Sequence, residues 1–240
     1  MAQQTEPADI TLPSPDRKDG PAPDQGPSRP GRAWWRRPWP LLLALLVTLF
    51  LVDELTAYLG LEPSEARITL NEDVPLHYPL LVAHIGFGTI ALVTVVLQVW
   101  PLLRRNHPRI HRASGRLYVF AGALPSAVLA LAIMPLMPAW QGTIGVAVHA
   151  LLWIGTTTMG YRAARKRQYD DHRRWMLYSF ALATGVLWGR AMVNVMTYAE
   201  LNIDVGYLFE VARWLGWMIN LMLVQWWLDR RPNRPAPAPV

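Results

Sequence analysis

The sequence predicts an all-α fold. It reads as an integral membrane bundle of six transmembrane helices, the second to fifth forming a central four-helix core. Three observations predict it. Hydrophobic residues make up 52% of the 240 and charged residues only 17%. The apolar residues come in runs of about 20, long enough to cross a hydrocarbon layer of ~30 Å at ~1.5 Å per residue. The third is a pattern that occurs twice: an apolar run with a histidine near its start, a basic cluster, then a His-Arg pair leading into the next apolar run. Its first copy uses His84, Arg104, Arg105, Arg109 and His111-Arg112, and its second uses His149, Arg162, Arg165, Lys166, Arg167 and His172-Arg173. The histidines are offset by 65 and 61 residues, as in a degenerate internal repeat.

Composition removes several classes of function. Cysteine is absent, which excludes disulfides, thiolate catalysis and cysteine-ligated metals. The net charge of +6 does not point to nucleic acid, because the positive residues sit in loops between apolar runs, where membrane topology explains them. Anionic membrane lipids are the expected partner of those loops. Gly86-Phe87-Gly88 lies within an apolar helix and lacks the strand that a nucleotide fingerprint needs.

In chain order, residues 1–33 are rich in Pro, Asp, Gln and Gly and are expected to form a disordered cytoplasmic tail. The transmembrane domain is expected over 34–229, with a second tail over 230–240. Trp39–Leu59 is the first span; Asp53-Glu54 continues it where a signal peptide would show a small-residue cleavage site. An acidic outer loop leads to the second span, Pro79–Leu103. A basic loop, Arg104–Arg116, leads to the third, Ser114–Met137, which Pro125 and Pro135 should bend. The fourth is Gly142–Ala164, the fifth Met176–Tyr198 and the sixth Gly206–Leu228. About 20 of the basic residues fall in the tails and the two basic loops, so both termini are expected on the cytoplasmic side of a bacterial inner membrane. Trp34, Trp35, Trp39, Trp100, Trp140, Trp226 and Trp227 fall at the expected interfaces.

His84 and His149 lie at one depth, roughly 7–10 Å in from the outer ends of parallel helices. Helices two and four sit diagonally in such a bundle, so the imidazoles face across its core. His111 and His172 form a second diagonal pair at the cytoplasmic boundary. Facing imidazoles suit the axial positions of haem iron, and Gly88, Gly145 and Gly115, one turn from a histidine, leave room for a flat ring. Zinc is a poorer match, with two nitrogens per level. The plainer reading makes the outer pair interhelical hydrogen bonders and the inner pair lipid-phosphate contacts. His77 and His107 read as solvated loop residues. Asp53, Glu54, Arg190 and Arg213 are charged at the outer level; Arg190 or Arg213 would hold haem propionates, or pair with the carboxylates.

His84 with Gln98 and Arg104, the string His111-Arg112-Ala113-Ser114-Gly115-Arg116-Leu117-Tyr118, and His172-Arg173-Arg174-Trp175-Met176 with Arg190 resemble an uncharacterised family of predicted bacterial multi-pass membrane proteins. The resemblance covers about Tyr78 to Arg190. That family tends to place an arginine two residues after Trp-Met, where this chain has Tyr178. More distantly, four histidines on helices two to five are similar to the two-haem transmembrane cytochromes b that reduce ferric iron. That likeness implies a cytochrome-b-like core, one haem b on His84 and His149, a second on His111 and His172, and electron transfer with quinol, ferric iron or a redox partner. The alternatives are a non-redox transport or accessory protein with a polar His/Arg cavity, and a scaffold.

Overall fold

A computed structural model describes residues 38–138, 140, 142–200 and 204–230 of the chain. The N-terminal tail, Trp34, Trp35 and all but Arg230 of the C-terminal tail lie outside the described residues. What is described is helical throughout, without strands. Its α-helices are α1 (Trp39–Thr56), α2 (His77–Val99), α3 (Pro101–Asn106), α4 (Pro108–Tyr118), α5 (Leu124–Ile133), α6 (Thr143–Arg165), α7 (Tyr169–Tyr198) and α8 (Val205–Asp229). α4 and α5 are one continuous rod, joined by a π-helical turn at Val119–Ala123.

Among the described residues, five helical segments are long and apolar enough to cross a membrane: α1, α2, the α4–α5 rod, α6 and α7. α8 has the length, 25 residues, but carries Glu210, Arg213, Asn220 and Gln225 along it and is not among the five. The expected sixth span is thus present as a helix whose polar residues interrupt its apolar run.

Local chemistry explains where the helix boundaries differ from expectation. Pro101 drives Trp100 into extended backbone, φ −74° and ψ 113°, since the proline ring crowds an α conformation on the residue before it. The second span therefore stops at Val99, and the expected basic loop is instead helical, as α3 and the first turns of α4. His111 and His172 do not precede helices; both are inside them, in α4 and the start of α7. Pro125 leaves the rod unbroken. Its ring would clash with the carbonyl four residues back, at Ala121, and the π turn that contains Ala121 widens the backbone there.

Four of these segments pack in a ring. α2 packs on the α4–α5 rod, the rod on α6, α6 on α7, and α7 closes against α2, leaving α2 and α6 on a diagonal. α8 lies outside the ring along α7 and α6, and α1 leans chiefly on α2. Close approach is built from glycine. A Cβ on Gly122 would sit 3.0 Å from the Ala91 backbone, so the π turn rests on α2. Gly185 and Gly216 bring α7 and α8 into backbone contact. α8 also caps α6: Gly142, with φ +73°, donates its N–H to the Glu210 carboxylate, which also accepts from Trp214 Nε1 at 2.9 Å.

Candidate functional site

A partly open cavity of about 400 Å³, within the range of small-molecule sites, lies between the ring and helices α1 and α8, at the level expected to be the outer one. Its lining is mostly apolar, and His84, His149, Glu54, Arg190 and Arg213 all border it. The two histidines that the internal repeat pairs are therefore brought to one cavity, close enough to interact electrostatically.

Their ring nitrogens are placed differently. His84 Nδ1 lies 2.9 Å from the Ser126 carbonyl on α5, with Ser126 Oγ at 3.2 Å. A nitrogen facing a carbonyl carries the proton, so in neutral His84 Nε2 keeps its lone pair. That nitrogen makes no hydrogen bond among the described residues. His149 is held by a bond from Nε2 to the Leu182 carbonyl at 3.1 Å, and its ring stacks between Trp153 and Trp217 at 6.2 and 5.8 Å. The two imidazoles thus differ: His84 has its Nδ1 engaged, whereas His149 has its Nε2 occupied.

The glycines expected to leave ring-sized room divide in the same way. Gly88 borders the cavity. A Cβ on Gly145 would come within 2.9 Å of the Trp214 indole, and one on Gly115 within 3.3 Å of the Gln98 amide. Those two glycines accommodate packed side chains, a correction to their expected role. Arg190 makes ion pairs with Asp53 at 3.3 Å and Glu54 at 3.5 Å, and Arg67 from the outer loop joins Asp53 at 3.3 Å. This is the helix-to-helix pairing among the two expectations. Arg213 lies 5.6 Å from the Phe209 ring. Above the cavity, burial pushes the Tyr58 phenol up from the ordinary tyrosine value, against the Arg67 N–H that donates to it.

His111 and His172 are held by different neighbours. His172 Nδ1 lies 2.8 Å from the Gly160 carbonyl, and His111 Nδ1 is buried with no hydrogen-bond partner. Neither borders the cavity. His107 is exposed, as expected. His77 is not: it is 1% exposed at the start of α2, where Nδ1 accepts the Asn71 N–H at 2.9 Å. The outer loop folds over it, which apolar periodicity does not reveal. Among the described residues no three His, Asp or Glu side chains gather as a metal site.

A buried hydroxyl cluster between the two histidine levels was not foreseen. Tyr118, Thr157 and Ser179 are each 0% exposed. Tyr118 Oη lies 2.5 Å from Ser179 Oγ and accepts from Trp153 Nε1 at 3.1 Å, and Ser179 Oγ lies 2.7 Å from Thr157 Oγ1. The signal was in the spacing. Tyr118 follows His111 by seven, Ser179 follows His172 by seven, and Trp153 and Thr157 follow His149 by four and eight. Such intervals share one helix face, so each inward histidine carries its cluster residue inward too.

Compared with known proteins, residues 81–228 match a family model described as "Predicted membrane protein (DUF2306)". No curated protein and no solved structure matches the chain.

Proposed function

We propose, for a chain that belongs to the DUF2306 family of predicted membrane proteins, that it crosses a bacterial inner membrane six times, holds b-type haem in the outer cavity and passes electrons. The observation that carries this reading is the meeting of His84 and His149 at one cavity, with the bare Nε2 of His84 beside it. Haem, when bound, supplies one-electron chemistry at its iron. The protein's part is positional and electrostatic. Ser126 fixes the His84 tautomer and strengthens Nε2 as a donor. His84 and His149 are the residues that would hold the haem, and for His149 this would need Nε2 to be released from the Leu182 carbonyl. The apolar wall excludes water, and Asp53, Glu54, Arg67 and Arg190 balance charge at the outer end. The fit is not repeated at the inner level: His111 and His172 do not border the cavity, and Gln98 fills the space beside Gly115. One haem is therefore proposed, with a quinol or another redox partner as its counterpart and no nucleic acid.

One observation favours a non-redox reading, in which the same cavity takes a small apolar ligand: His149 spends Nε2 on the backbone. An optical spectrum decides between them. The full chain, expressed with ample haem and purified in a lipid disc, should show a Soret band and a sharp reduced α-band. His84→Ala should remove both. A well-folded wild type without either band overturns the haem reading.

A further inference from the structure

We infer that the outer cavity is loaded from the bilayer, through a lateral window between α1 and α8, and that its ligand is a lipid-soluble flat-ring compound. The inference rests on the haem reading only for the identity of that compound.

The wall opposite the ring core is supplied by both α1 (Phe50, Leu51, Glu54) and α8 (Phe209, Arg213, Trp217). Those helices have almost no packing on each other, since α1 rests on α2 and touches α7, while α8 is built onto α7 and α6. α1 is also the least embedded of the spans: of its 18 residues only Pro40 and Val47 are buried. The route from water is covered by contrast. Tyr58 and Ile68 close over the outer end, and the loop carrying Ile68 is tied down by Arg67, which bonds Asp53 through its side chain and Tyr58 through its N–H.

One cluster fastens α1 to α7. Asp53 takes Arg190 from α7 and Arg67 from the loop, and Glu54 takes Arg190 as well. Ion pairs at a membrane's apolar edge are costly to separate. They lie at one end of α1, while the packing that holds the rest of the helix, Leu43 and the buried Val47 included, is apolar and carries no ion pair. The ligand class follows from the route and the lining. It must dissolve in the bilayer and accept a mostly apolar wall with a few polar groups, which suits an apolar compound bearing a small number of polar substituents; that it is a flat ring is what the haem reading adds.

Absence of cysteine from the chain makes the test clean. In Phe50→Cys/Phe209→Cys, a thiol-reactive bridge ties α1 to α8 across the window. In Arg190→Ala, the fastening is loosened. Haem-free protein in vesicles is exposed to a lipid-soluble diazirine photolabel, and adducts on the cavity-facing Val146 and His149 are read by mass spectrometry. Loosening should raise labelling roughly fivefold, the size of a partly exposed ion pair, and bridging should abolish it while lipid-facing residues still label. Equal labelling of Val146 and His149 in the bridged and unbridged forms overturns the inference. Should Arg190→Ala fail to fold, the bridged variant decides alone. A parallel arm offers haem dissolved in the vesicles. Window-dependent photolabelling without haem uptake in any variant supports the window and overturns only the haem reading.

Discussion

Single side chains divide this protein into a cavity-facing level and a locked level. His84 borders the cavity, whereas Tyr118 is fully buried with its hydroxyl bonded to Ser179 Oγ and to the Trp153 indole N–H. Removing one buried partner leaves the others unsatisfied. Tyr118→Phe should therefore destabilise the protein by about 1–2 kcal/mol in a thermal or denaturant unfolding series, without changing what the cavity binds. Tyr58 gives a pH signature. Its phenol is raised from the ordinary 10.0, chiefly by burial, so the packing it contributes is complete below that value and is lost as pH rises through the folded-state value. An alkaline transition at the outer end, followed by tyrosinate absorbance, should vanish in Tyr58→Phe. The histidines at 84 and 149 were legible in the sequence because inward spacing and repeat symmetry agreed. His77 was not, because a loop's fold, not a periodic face, buries it.

Helices came through clearly where the apolar run was long, and less clearly where charge and proline intervened. The spans over α2, α6 and α7 were read to within a few residues at most ends, since ~20 apolar residues in lipid have few alternatives to a helix. The helical basic segments α3 and α4 were read as loop, because arginine clusters mark a membrane boundary without saying what backbone they adopt. The α7–α8 contact rests on Gly185 and Gly189 of α7 and on their counterpart Gly216, which becomes visible only once α8 is laid on α7. Gly216→Ala would press a methyl group against the Gly185 carbonyl and the Trp188 side chain. The expected cost is about 1–3 kcal/mol of stability, seen as lower yield and earlier unfolding, while an alanine at Gly86, which has open space around it, should be nearly silent.

At the scale of the molecule, the diagonal placement of α2 and α6 followed from up-and-down connectivity alone, and so did the meeting of His84 and His149 at one cavity. The nature of α8 did not, because its polar residues serve neighbours: Glu210 caps α6 and Asn220 bonds to the Ala181 carbonyl and Thr184 on α7. Satisfied polar groups of that kind are tolerated in a span that hydropathy alone rejects. On the proposed six crossings, with α8 as the sixth, both ends of the chain lie on one side. A reporter fused after residue 240 should be active only in its cytoplasmic form, and the opposite result would remove α8 from the count of crossings.

The π turn at Val119–Ala123 sets the rotational phase of its rod. One residue of an ordinary helix is worth about 100° of rotation. Deleting a single residue from the turn would leave a longer, more regular helix and still swing its two halves out of step. Either Tyr118 would leave the hydroxyl cluster or the Ser126 carbonyl would leave His84. The surplus residue thus acts as a gear tooth, letting one rod serve two inward stations that a plain spiral could not align together.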